Sequence, residues 1–304
     1  VPLTGIRCCA PKYAKSDIPH VVTKEQCLDC AASRTNTCEF TYEILNLMYG
    51  EVQDREDRIS TTTLTSKCLR SEFLKRAEGY TESPRRLWPS FRGTQFHQQL
   101  EKAARPGSVA EARFHIDDFM GMGPLSGSPD LLDVEEGILY DYKTNKENPR
   151  FAYPWGDHSQ QVNVNRYLVD HADWVEWQGK TYDPEQFRPK DWQALVLVYI
   201  DTNGPKPLEV TRSEDVSTKD GKGRKKVRVP DIWGDEHAQQ WIAERYAAVK
   251  EAFVGGRLPE IPPEFQGWEH PLCGFCPKKH ECIEDFYREN PVRTEKTYQI
   301  RRPA

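Results

Sequence analysis

The 304 residues carry 42 Lys+Arg against 47 Asp+Glu, a formal charge of -5, with 37% hydrophobic, 29% charged and 11% aromatic residues. That length excludes a mini-domain and predicts one large domain or a core with one or two additions. The apolar share excludes wholesale disorder, and the net charge excludes a protein that coats nucleic acid by overall charge. The longest clean apolar run, Ala194 to Ile200, is far short of the roughly 20 residues of a membrane helix, so a soluble, cytoplasmic protein without membrane contact is expected.

Along the chain, residues 1 to about 40 are turn-rich and hold Cys8, Cys9, Cys27, Cys30 and Cys38. Glu39 to Gly50 reads as a short helix with Phe40, Ile44, Leu47 and Met48 on one side. Thr65 to Glu78 predicts a second helix, carrying Cys68, and Arg92 to Ala104 a third, carrying His97. Ala112, Phe114 and Ile116 alternate with Arg113 and His115 as a half-buried strand. Leu131–Val134 and Ile138–Tyr142 flank Glu135-Glu136-Gly137, a compact hairpin signal. A helix over Asp157–Val169, a strand over Trp192–Asp201 and a helix over Glu236–Phe253 follow. Residues from about 171 to 234 are expected to be largely an insertion around one core strand. They hold Trp174, Trp177 and Trp192, expected to pack, and a basic segment from Lys219 to Arg228, expected to be a solvated hairpin tip.

The hairpin carries the chemistry. If its register is regular about the Glu135-Glu136 turn, Asp130 and Asp141 stand opposite each other, with Cβ atoms about 5 Å apart. Lys143 lies two residues beyond Asp141 and so on the same face. Two carboxylates suit a hard divalent ion such as Mg or Mn, and the lysine suits the orientation of an attacking water or the stabilisation of charge on a phosphate. The pattern points to metal-assisted phosphodiester hydrolysis.

Nine cysteines, an odd total, include Cys27-x-x-Cys30 and Cys273-x-x-Cys276. In a chain of this length that favours metal ligation over disulfides. Cys9, Cys27, Cys30 and Cys38, with Cys8 as the alternative to Cys9, provide four thiolates for a closed zinc site. They predict a zinc-binding module over residues 1–55, suited to DNA grip or to docking a protein partner. Cys273, Cys276 and Cys282 have Cys68 or His280 as a fourth ligand, and the ligand types alone leave zinc and iron both open.

At Gly93-Thr-Gln-Phe-His97, Gly127-Ser-Pro-Asp130, Asp141-Tyr142-Lys143 and Gln161 the sequence resembles the PD-(D/E)XK nuclease superfamily. The branch it resembles is the RecB-like one of CRISPR-associated iron-sulfur exonucleases and related phage enzymes, and the likeness spans roughly residues 60 to 290. It implies an α/β restriction-endonuclease-like core, a central mixed sheet flanked by helices, in a nuclease domain over 56–304. Within that domain it implies the insertion around 171–234 and an iron-sulfur region at 268–290. Mg or Mn on His97, Asp130, Asp141 and the Tyr142 carbonyl is implied, with Lys143, Asp130, Asp141, Glu111 and Gln161 as the catalytic set. A 4Fe-4S cluster on Cys68, Cys273, Cys276 and Cys282 is implied as well. The implied activity is a DNA exonuclease on single-stranded ends, in recombination, repair or CRISPR spacer processing. One departure stands out: Asn165 occupies the place where the family carries a tyrosine after its glutamine. A non-catalytic DNA-binding or scaffold subunit retaining the fold is the alternative, and intact Asp130, Asp141 and Lys143 argue for the enzyme.

Overall fold

The computed structural model describes residues 3–8, 20–33, 40–50, 59–144, 156–201, 204–209, 215–220, 223–228, 232–265, 273 and 276–289. In chain order the elements are β1 (Leu3–Arg7), β2 (Val21–Val22), α1 (Lys24–Ala32), α2 (Tyr42–Gly50), β3 (Ile59–Ser60), α3 (Thr61–Leu64), α4 (Leu69–Glu78), β4 (Tyr80–Glu82), α5 (Pro84–Ala103), β5 (Ser108–Ala110), β6 (Arg113–Ile116), β7 (Leu125–Gly127), β8 (Leu131–Asp133), β9 (Ile138–Thr144), α6 (Gly156–His171), β10 (Trp174–Trp177), β11 (Lys180–Tyr182), β12 (Ala194–Asp201), β13 (Gly204–Glu209), β14 (Asp215–Asp220), β15 (Gly223–Arg228), α7 (Asp235–Phe253) and α8 (Lys279–Glu289). No described helix is long and apolar enough to cross a membrane.

Contacts divide the chain into two units, each built from separate stretches of sequence. The first gathers Val1–Glu56, Cys68–Phe91 and Gly256–Ala304; the second gathers Asp57–Lys67 and Arg92–Gly255. In the first unit, β1 pairs antiparallel with β2 and parallel with β4. Thr23 starts α1 with a capping box: its hydroxyl accepts from Gln26 N at 3.1 Å while Gln26 Oε1 accepts from Thr23 N at 2.9 Å. Helix α2 buries Leu45, Met48 and Tyr49 against Ile6 and Cys27, and leaves Leu47 exposed. The buried stripe is therefore turned by about one residue from the expected one, and the Tyr49 hydroxyl, donating to Cys27 Sγ at 3.1 Å, fixes that rotation. A second cluster in this unit packs Ile261 and Phe265 with Cys273, Cys282, Ile283 and Phe286.

The helix expected over Thr65–Glu78 is broken into α3 and α4. The Thr65 hydroxyl bonds back to Thr61 O at 3.1 Å, closing α3, and the chain restarts its helix after Cys68. Helix α5 begins eight residues earlier than expected, because Pro84 is pre-set for a first helical position.

The second unit holds two five-stranded sheets, ordered β13-β12-β9-β8-β5 and β11-β10-β6-β7-β3. The first is mixed: β12 runs parallel to β9, while the β9/β8, β8/β5 and β12/β13 pairs are antiparallel. Helix α6 packs against both sheets. Every residue from Val162 to Val169 is buried, as a helix covered on all sides requires. Residues 171–234 contribute more than the one expected core strand, because β10 pairs with β6 inside the second sheet while β12 is central to the first. Their tryptophans are held by the fold. Trp174 stacks on His115 at 3.7 Å and donates to Asp117, Trp177 donates to Ala110 O, and Trp192 donates to Asp170. The basic segment forms the β14/β15 hairpin, with Lys222 outside the described residues.

Candidate active site

The site grows from the β8–β9 hairpin. Asp133 Oδ1 accepts from Glu136 N at 3.2 Å, and Gly137 takes the left-handed φ of +63° that closes the turn. A side chain at Gly137 would also place its Cβ about 1.9 Å from Asp191 O, so the position admits glycine alone. The resulting register pairs Leu131 with Tyr140 and Leu132 with Leu139, which carries Asp130 to the place opposite Asp141. On the other side Ala110 pairs with Leu131, bringing Glu111 opposite Asp130, and Glu111 N donates to Asp130 O at 3.2 Å. Three acids thus lie in one row across three adjacent segments. Glu111 holds a φ of +54°, uncommon for a residue with a side chain, at the point where its carboxylate meets His97.

Helix α5 delivers His97 to that row. Its Nδ1 is 3.0 Å from Glu111 Oε1 and 3.2 Å from Asp130 Oδ1, and its Nε2 is 3.3 Å from the Tyr142 carbonyl oxygen. The other Asp130 oxygen accepts from Tyr142 N at 2.6 Å. Burial disfavours a charged imidazole, but the hydrogen bonds and negative charges of Asp130 and Glu111 outweigh it and push His97 up to about 10. His97, Glu111 and Asp130 present ligand atoms within 4.8 Å of one another. The field that keeps a proton on His97 is the field that would hold a divalent cation there. Two carboxylates and one imidazole nitrogen make a predominantly hard donor set, fitting Mg or Mn.

Asp141 is fully buried and faces Lys143 instead. Lys143 Nζ donates to Asp141 Oδ1 at 3.0 Å, lies 2.8 Å from Oδ2, and donates to Gln161 Oε1 at 2.8 Å. Asp141 Oδ2 is buried with an ion-pair distance but no hydrogen bond, so it keeps a lone pair for a further cation. Burial pushes Asp141 up, with Lys143 opposing; the charges of Asp141 and Asp130 outweigh burial at Lys143 and keep it an ammonium. Of the ligands expected from sequence, His97 and Asp130 meet at Nδ1, while the Tyr142 carbonyl faces the opposite ring nitrogen. Glu111, expected in the catalytic set, stands with His97 and Asp130 in the group that could hold a metal ion, and Asp141 stands behind it as the partner of Lys143.

The family model of the PD-(D/E)XK nuclease superfamily matches residues 43–283. The chain belongs to the PD-(D/E)XK nuclease superfamily. No curated protein matches it. Among solved structures, the one described as "Crystal structure of SSO0001" superposes with a TM-score of 0.47 at 14% identity, over 79% of this chain and 94% of that one.

Asn165, the departure noted above, has partners of its own in the fold. The side chain is fully buried, its Oδ1 accepting from Thr61 Oγ1 at 2.9 Å and its Nδ2 donating to Ser128 O at 3.4 Å. It braces the Gly127-Ser-Pro-Asp130 turn from behind and does not reach the Lys143 side of the site. Gly127 is required there too, since a Cβ would lie 2.1 Å from Thr61 Oγ1 and 2.6 Å from Leu168 Cδ1. Sequence reading passed over His158, although its place one helical turn before Gln161 was the available signal.

The cysteines of the expected cluster all fall in the first unit. Burial pushes the Cys68 thiol up, and the nearby charges of Cys276 and Cys273 push it further; Ser71 Oγ is 3.2 Å from Cys276 Sγ. Cys282 lies in α8 and, like Cys273, packs against Ile261 and Phe265. Among the described residues, these thiols do not close to the spacing of the His97 group. For the expected zinc site, Cys9 and Cys38 lie outside the described residues. Cys27 and Cys30 sit within α1, in a stretch expected to be turn-rich, Cys27 buried under the Tyr49 hydroxyl and Cys30 exposed. The described residues lend zinc ligation no support.

Proposed function

We propose that this superfamily member is a Mg- or Mn-dependent deoxyribonuclease of the RecB-like iron-sulfur kind, acting on single-stranded DNA ends. The observation that carries the hydrolytic reading is the meeting of His97, Glu111 and Asp130 within 4.8 Å, next to a chain that runs from the buried Asp141 through Lys143 to Gln161. His97, Glu111 and Asp130 would hold the ion, with the Tyr142 carbonyl and Asp141 Oδ2 as further oxygen donors. When bound, the ion would supply Lewis-acid charge to the scissile phosphate and make a coordinated water more acidic. Lys143, gripped from two sides, is a fixed ammonium that orients the attacking water and meets the charge growing on the phosphate. Gln161 sets the direction of that ammonium and exposes no competing charge.

The preference for single-stranded ends and the 4Fe-4S cluster rest on the likeness of His97, Asp130, Asp141-x-Lys143, Cys68 and the Cys273 trio to the RecB-like branch. The donor chemistry supports the cluster: Cys273 and Cys276 lie close enough for their charges to act on Cys68, and soft sulfur ligands suit iron-sulfur chemistry. One assay tests the whole reading. End-labelled single- and double-stranded DNA is incubated with the protein in Mn, Mg or EDTA. Mononucleotide or short-oligonucleotide release from single strands, abolished by EDTA, is the expected result; intact DNA in both metals overturns the reading.

A further inference from the structure

We propose that His158 and Tyr199 are positioning residues for Lys143, a second strut that fixes where the ammonium stands; the inference rests on the nuclease reading and deepens it. Tyr199 is the direct register partner of Lys143 across the parallel β9/β12 pair, so the two side chains stand on the same face of the sheet. Helix α6 covers that face. Its Gln161 reaches Lys143 at 2.8 Å, and its His158, three residues earlier and on the same side of the helix, meets Tyr199 Oη through Nδ1 at 2.9 Å. Two parallel bridges therefore tie the helix to the sheet, one landing on Lys143 and the other on its neighbour. Tyr199 is buried, and Asp157, next to His158, is ion-paired to Lys67 at 2.9 Å, so the first turn of α6 is anchored on both sides.

The strut matters because Lys143 is a long, flexible side chain. Gln161 restrains its tip only while α6 keeps its distance from β9, and that distance at this end is set by the His158–Tyr199 bond. Loosening it lets α6 and Gln161 drift, and an ångström of drift at a reacting centre costs about 10- to 100-fold in rate. Because neither residue joins the His97–Glu111–Asp130 group, metal affinity should not change.

The test measures kcat, KM and the Mn concentration for half-maximal activity on single-stranded DNA, for wild type, Tyr199→Phe, His158→Leu and His158→Asn. Asn places an amide near the position of Nδ1 and keeps a partner for Tyr199. The proposal expects kcat to fall about 10-fold or more in Tyr199→Phe and His158→Leu, with KM and the Mn midpoint unchanged, and to recover in His158→Asn. Tyr199→Phe removes one oxygen and keeps the ring, so it carries the test if His158→Leu does not fold. Wild-type kcat in Tyr199→Phe overturns the proposal, as does a loss in His158→Asn equal to that in His158→Leu, or a loss appearing only in the Mn midpoint. A wild-type protein that leaves DNA intact overturns the nuclease reading itself and the proposal with it.

Discussion

Lys143 holds two partners at once, the buried carboxylate of Asp141 and the amide oxygen of Gln161. Its removal should therefore affect chemistry more than binding. Lys143→Ala is expected to lower the cleavage rate by about 10²- to 10³-fold or more while leaving DNA affinity within a few-fold, measured by single-turnover kinetics and by gel shift in Ca. A second prediction concerns His158. Burial, aided by the charge of Lys143, holds it down at about 4 from an ordinary 6.5. Above pH 6.5 it is neutral in both folded and unfolded chains and adds no pH dependence. As pH falls from 6.5 toward 4, only the unfolded chain takes up the proton, so stability declines across that window. Thermal melts at pH 7, 5.5 and 4.5 should show a shallower acid loss in His158→Asn than in wild type.

At the scale of elements, the close approach of α3, β7 and α6 decides where Asp130 stands. Gly127 lies where those three meet, and a methyl group would press on Thr61, Leu168 and Asn165 together. Gly127→Ala is expected to cost about 1–3 kcal/mol of stability by overpacking, read in urea melts, and to lower activity by shifting the turn that leads to Asp130. The hairpin itself was legible in the sequence, because its register follows from a short turn and a two-residue period. Asp130 stands opposite Asp141 for that local reason. What was illegible is contact made over long separations. Tyr199 meets Lys143 through a parallel pairing across 50-odd residues that no local period encodes. Glu111's turn toward His97 and Asp130 depends on a left-handed backbone that its residue type does not announce. The expected helix over Thr65–Glu78 failed similarly, as Thr65 found a backbone carbonyl to bond that ended α3.

Over the whole molecule, the donor sets of the two proposed metals fall in different units. His97, Glu111 and Asp130 lie in the unit of Asp57–Lys67 and Arg92–Gly255, and the four cysteines of the expected cluster lie in the other. Spacing could not reveal that Cys68–Phe91 and Gly256–Ala304 share a unit, because the segments are far apart in sequence and joined by packing such as Lys278 to Glu78 at 2.7 Å. A cluster bridging Cys68 to the Cys273 trio would close a loop of about 200 residues, removing much of the freedom of the unfolded chain. It would act on the stability of its own unit and share no ligand with His97, Glu111 or Asp130. Protein purified without oxygen should be brown with broad visible absorbance, and Cys68→Ser should bleach it and lower the melting temperature by several degrees. Hydrogen exchange should then speed up in α4 and α8 before it does so in β8 and β9, because the lost ligand anchors the former pair. Cleavage at low temperature should persist at a reduced level, in contrast to its loss in Lys143→Ala. Iron-free, colourless protein whose melting temperature is the same with Ser at position 68 would remove the cluster while leaving the His97 site intact.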